Sequence, residues 1–121
     1  MSLCLLAGTL SVSLATSSLT LAWDHSVEHQ AWEEDWRLEQ GQLVLDAARV
    51  RGSGAGMEAG EGAVLKDGGW QWRPKVPRQP EIILRRSGAT ADYRICIEGE
   101  CRPLSALLPA GADPVTLRAC P

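Results

Sequence analysis

The stretch Tyr93-Arg94-Ile95-Cys96-Ile97-Glu98-Gly99-Glu100-Cys101-Arg102 decides the fold. Two short strand-like runs flank Glu98-Gly99, a pair suited to a two-residue hairpin turn. With that turn, Ile97 faces Glu100 across the hydrogen-bonded pair beside it. Cys96 then faces Cys101 at the non-hydrogen-bonded position, where Cα atoms approach to roughly 4.5 Å. That spacing is within reach of a disulfide. One hairpin therefore predicts an antiparallel ladder and a cross-strand bond together.

Outward from the hairpin, the other two cysteines are Cys4 and Cys120. Four cysteines allow three pairings, and pairing Cys96 with Cys101 leaves a second bond joining the two ends of the chain. The opposing reading is four free thiols in a reducing compartment. No metal-ligand spacing competes with disulfides, so the cysteines point outside the cytoplasm. Residues 1–22 carry no charge and so lack the basic start of an export signal. Ser and Thr interrupt them too often for a membrane span. Leu10-Ser11-Val12-Ser13-Leu14 and Leu19-Thr20-Leu21 alternate with period two instead, which predicts strands.

The same pattern continues along the chain. Strands are expected at 3–7, 10–15, 19–25, 32–39, 43–51, 64–66, 70–73, 81–86, 93–97, 100–102 and 115–119. Leu43, Leu45 and Val50 read as alternating between faces. Pro74, Pro77 and Pro80 make an extended connection that cannot be a central strand. One short helical turn is expected near 104–108, before Pro109. The 121 residues fit a single domain with no linker or repeat. The fold class is all-β: a small antiparallel sandwich or a partly open barrel.

Composition excludes several functions. Hydrophobic residues are 45% and charged residues 22%, which places the chain among ordinary globular domains and not disordered ones. A net charge of -3 and a pI near 5.3 give no electrostatic footprint for nucleic acid. Acids concentrate between Asp24 and Glu39, and bases between Arg73 and Arg86, so those segments are expected to pair with each other. With five Trp, one Tyr and no Phe, tryptophan must fill the core or line a groove. Core packing is the commoner fate.

Two motifs touch on chemistry. His25-Ser26-Val27-Glu28-His29 spells the inverted zincin order, but that chemistry needs a helix, and this segment ends a strand. A clip holding a metal through His25 and His29 stays a minor alternative. His25 and Ser26 point to opposite faces of a strand, so a base–nucleophile pair is unsupported and a hydrolase is the weaker reading. Leu19, Leu21, Trp23 and His25 share an apolar face, so His25 should need a partner at the core edge. Glu34, between Trp32 and Trp36 on the neighbouring run, is the expected one. The pair would serve as a structural pin, whose removal destabilises, or as the floor of a binding site.

Trp23-Asp24-His25-Ser26-Val27-Glu28, Trp32-Glu33-Glu34-Asp35-Trp36 and Gly52-Ser53-Gly54-Ala55-Gly56-Met57 together resemble a known bacterial family. It is the domain-of-unknown-function family eighteen-fifty. That family shows an aromatic-x-His-Ser-Val-Glu stretch, a Glu two residues before an aromatic, and a Gly-Ala-Gly turn. Glu81 to Leu84 and the Gly99 to Leu104 hairpin also match, which extends the resemblance over nearly the whole chain. Trp23, His25, Ser26, Glu28, Glu34, Trp36, Gly54, Gly56 and Met57 are the binding candidates. The resemblance itself says nothing of chemistry. It implies genomic company and no enzymatic activity. Members are often encoded beside TRAP transporters of the TAXI type, whose solute-binding proteins work outside the cytoplasmic membrane. Many members begin with a hydrophobic signal or anchor, and the uncharged, strand-like residues 1–22 depart from that.

The expectation is a non-enzymatic accessory or binding module, extracytoplasmic and without cofactor. Its partners would be the membrane or solute-binding subunits of such a transporter. Membrane association follows only if an anchor precedes residue 1. The alternative is a domain binding a metal or small ligand through His25, Glu28 and Glu34.

Overall fold

Alternation of apolar and polar side chains along eleven strands builds two antiparallel sheets in the structure, a computed structural model. It describes residues 1–25, 30–51, 62–66, 69–87 and 91–121, with only the backbone of His25, Gln30 and Lys66. The smaller sheet holds β1 (Leu3–Ala7), β2 (Leu10–Ser13), β8 (Glu81–Leu84) and β11 (Val115–Ala119), in the order β2-β1-β11-β8. The larger holds β3 (Ser18–His25), β4 (Gln30–Glu39), β5 (Gln42–Arg51), β6 (Val64–Lys66), β7 (Gly69–Trp72), β9 (Arg94–Ile97) and β10 (Glu100–Pro103). Its order is β10-β9-β3-β4-β5-β7-β6. The sheets face one another without closing into a barrel. Leu104–Ala106 forms a 3-10 turn, shorter than the turn expected over 104–108, and Leu108 N–H closes back on the Leu104 carbonyl at 2.9 Å.

The hairpin at 93–102 forms in the expected register, with Cys96 opposite Cys101 and Ile97 opposite Glu100. Glu98 and Gly99 both adopt positive φ, 52° and 84°, as a two-residue turn matched to the strand twist requires. The cysteines are bonded, with Cα atoms 3.9 Å apart. Cys4 is bonded to Cys120 across the ends of β1 and β11, at a Cα separation of 4.9 Å. The Cys120 N–H donates to the Ser2 carbonyl at 2.8 Å, so backbone and disulfide close the same seam.

The core lies between the sheets. Leu3, Leu5, Leu84, Val115 and Leu117 from the small sheet meet Leu19, Leu21, Trp36, Leu43 and Ile95 from the large one, and Leu104 and Leu108 close one side. Burying a leucine-sized side chain stabilises by roughly 1.5–3 kcal/mol, so this interface carries most of the fold.

Several expectations need correcting. Leu43, Leu45 and Val50 do not alternate between faces. Asp46 is bulged out between the Ala47–Asp35 and Leu45–Trp36 pairs. The extra residue reverses the parity of the strand, so Leu43 and Leu45 share the inner face with Ala48 and Val50. β2 stops at Ser13: one further ladder bond runs from the Leu14 N–H to the Leu3 carbonyl, and Ala15 then takes a φ of 54° that ends the extended backbone. β8 stops at Leu84. Beyond it the Arg86 side chain, 5% exposed, pairs with Asp92 and donates to the carbonyls of Pro109 and Ala112.

The two charged segments mostly find other partners. Asp24 meets Arg94, while Glu33 and Asp35 meet Arg49. Arg78 with Glu39 is the pair that does link the 73–86 segment to the acidic one.

The two disulfides close loops of very different length, with sequence separations of 116 and 5. On chain-entropy grounds, replacing Cys4 and Cys120 by Ala should cost about 5 kcal/mol, against about 2 kcal/mol for Cys96 and Cys101. Denaturant melts of the two double variants check this. Equal losses would mean that loop length does not set the stabilisation, the unfolded chain holding its ends together without the bond.

Candidate functional site

β4 runs through the large sheet between β3 and β5, and its side chains must alternate between the two faces. Outward go Glu33 and Asp35, and both find cations. Arg49 donates from Nε to Glu33 at 2.8 Å and from Nη1 and Nη2 to Asp35 at 2.8 and 2.6 Å. Thr20 Oγ1 donates to Asp35 at 2.7 Å. The Arg49 hydrogen bonds, helped by Thr20, hold the Asp35 carboxyl below its ordinary range despite partial burial.

Inward go Trp32, Glu34 and Trp36. Glu34 is flanked along its strand by the two indoles and across the ladders by Leu21 and Ala48. Its polar contact is the Trp36 indole, which donates from Nε1 to Oε1 at 3.2 Å. Among the described residues no arginine or lysine pairs with it. Burial pushes the Glu34 carboxyl up, and the Trp36 N–H offsets this only in part. The Tyr93 phenol is also pushed up, first by burial and then by the charges of Glu34 and Asp92.

An aromatic row runs along the same inner face from Trp32. Trp23 stacks on Trp32 with centroids 6.3 Å apart and planes 10° from parallel. Tyr93 tilts against Trp23 at 6.0 Å, and Trp72 meets Trp32 edge-on at 6.1 Å. Ala48, opposite both Glu34 and Trp72, leaves room for the larger ring to lean inward. Leu21 and Trp36 belong to the core beneath the small sheet, whereas Trp32 and Ala48 lie outside that cluster. Glu34 therefore stands between that core cluster and the tryptophans beside it. Trp23, Trp32, Trp72 and Tyr93 are all half-buried, so the row is walled but reachable.

The expected site residues divide accordingly. Trp23, Glu34 and Trp36 come together on the inner face. Ser26, Glu28, His29, Gly54, Gly56 and Met57 lie outside the described residues. His25 ends β3 opposite Gln30, while Glu34 is opposite Leu21. Four ladder positions, about 13 Å of strand, separate the two backbones, so the register does not set His25 and Glu34 opposite one another, and the His25 side chain lies outside the described residues. No group of three or more His, Cys, Asp or Glu is placed to hold a metal among the described residues. Tyr93 was not foreseen as a site residue. Its signal was parity, since Tyr93, Ile95 and Ile97 share one face of the hairpin arm while Arg94 and Cys96 take the other.

A two-sheet all-β domain with a carboxylate set in an aromatic inner face is the class these features define. The family described as Domain of unknown function (DUF1850) matches residues 19–104, and the chain belongs to that family. The match is shorter than the near-complete resemblance expected, since it leaves out β1, β2 and β11. No curated protein and no solved structure matches the chain.

The raised Glu34 carboxyl has a definite sign for stability. A carboxyl whose pKa is higher folded than unfolded penalises the folded state as pH rises past the unfolded value, and in full above the folded value. The penalty disappears at low pH, where both states are protonated. Glu34→Gln keeps an oxygen for the Trp36 N–H and removes the charge. The variant should therefore melt above the wild type at pH 7, with the gap closing as pH falls through the carboxyl range. Thermal melts from pH 3 to 8 test this. A variant that melts lower at pH 7 would restore the structural pin.

Proposed function

We propose that this chain is a non-enzymatic binding module that works outside the cytoplasmic membrane as an accessory to a TRAP-type transporter of the TAXI class. The observation that carries the reading is Glu34, a carboxylate half-buried among tryptophans where no arginine or lysine among the described residues pairs with it. Stability alone would favour a leucine there, and polar groups kept against stability tend to mark function. The groups around this carboxylate are indoles, a phenol and aliphatic side chains, which suit recognition better than group transfer. Two disulfides are compatible with an oxidising compartment. The transporter link is supported by the family resemblance, whose members are often encoded beside such transporters. No helix among the described residues is long and apolar enough to cross a membrane.

Co-expression with the transporter subunits encoded nearby, followed by affinity purification of this chain, tests the reading. The expected result is stoichiometric co-elution with the membrane or the solute-binding subunit. Elution of this chain alone, with both subunits present and folded in the extract, would remove the accessory role.

A further inference from the structure

We infer that the inner face around Glu34 binds an organic cation, an ammonium or guanidinium group carried on a small solute or an exposed side chain. The inference deepens the binding-module reading and rests on it, but it does not depend on the transporter link. Charge bookkeeping along β4 comes first. Glu33, Asp35 and Glu39 face outward or lie at the strand end, and each meets an arginine: Arg49 for the first two, Arg37 and Arg78 for the third. Glu34 is the inward carboxylate, and it meets one indole N–H. A carboxylate offers about four acceptor positions, so one donor leaves it mostly unsatisfied.

The walls supply the second half of the argument. An ammonium or guanidinium group is attracted to the faces of Trp and Tyr when it lies within about 6 Å of the ring centroid. Trp32 lies next to Glu34 on its own face of β4, Trp23 stacks on Trp32, and Tyr93 and Trp72 extend the row to either side. A ligand cation here would meet π faces and a carboxylate together, as in the aromatic cages that recognise quaternary ammonium groups. Other ligand classes fit less well. A divalent metal needs several oxygen donors, and no three His, Cys, Asp or Glu among the described residues are grouped to supply them. An anion would be repelled by Glu34, and a neutral sugar could stack on tryptophan without it.

The test uses choline and its uncharged isostere 3,3-dimethylbutan-1-ol, followed by tryptophan fluorescence of the whole chain, with potassium chloride controlling ionic strength. Choline should give a saturable change with Kd of about 1 mM, the range of a small ligand held by one charge and aromatic contacts. The isostere and the Glu34→Gln variant should each bind at least about tenfold more weakly. Trp32→Leu should weaken choline while leaving the Glu34 titration in place. Equal binding of choline and the isostere, undiminished binding to Glu34→Gln, or no saturation would overturn the inference. Co-purification with a transporter subunit but no choline binding would leave the accessory role and remove this ligand. Saturable choline binding without co-purification would do the reverse.

Discussion

A strand in the middle of a sheet cannot choose which of its neighbouring side chains go inside, because successive residues must point to opposite faces. In β4 this constraint sends Trp32, Glu34 and Trp36 inward together and Glu33 and Asp35 outward together. Everything at the candidate site follows from that. The inward set could not include both tryptophans and exclude the glutamate between them without a bulge on β4 itself. The bulge is placed on the partner strand instead, at Asp46, where it realigns Leu43 and Leu45 with Ala48 and Val50 and leaves the period of β4 untouched.

The two faces treat similar carboxylates in opposite ways. Asp35 is held low by Arg49, whereas Glu34 is pushed up by burial, although the two are neighbours in sequence. The difference is one of environment and not of residue type. Glu34 sits at the boundary between the leucine core under the small sheet and the tryptophan row beyond it. A fold built only for stability would place a leucine at that boundary. The Cys4–Cys120 seam and the core carry the stability that such a concession needs.

Much of this was legible in the sequence because it depends on local geometry. The Cys96–Cys101 hairpin follows from turn length and ladder parity alone, and the pairing of Cys4 with Cys120 follows by elimination. The shared face of Trp32, Glu34 and Trp36 is also a local period-two reading. What was not legible depends on neighbours distant in the chain. The register of β3 against β4 decides that Glu34 faces Leu21 and not His25. Strand order decides that Arg49, and not the 73–86 segment, neutralises Glu33 and Asp35. The Asp46 bulge leaves no mark in a two-letter apolar pattern. Tyr93 enters the site because β9 lies beside β3, an adjacency that no single segment announces.

The central claim is that Glu34 is a half-buried carboxylate without a compensating cation among the described residues, and its own titration tests that most directly. Carbon-13 NMR of glutamate-labelled protein, with the Glu34 carboxyl assigned by its loss in Glu34→Gln, reads its midpoint as pH is varied in the ligand-free state. The account predicts a midpoint above the ordinary 4.5 of a glutamate carboxyl. A midpoint at or below 4.5 would mean that a cation or further donors already satisfy Glu34, and would contradict the account.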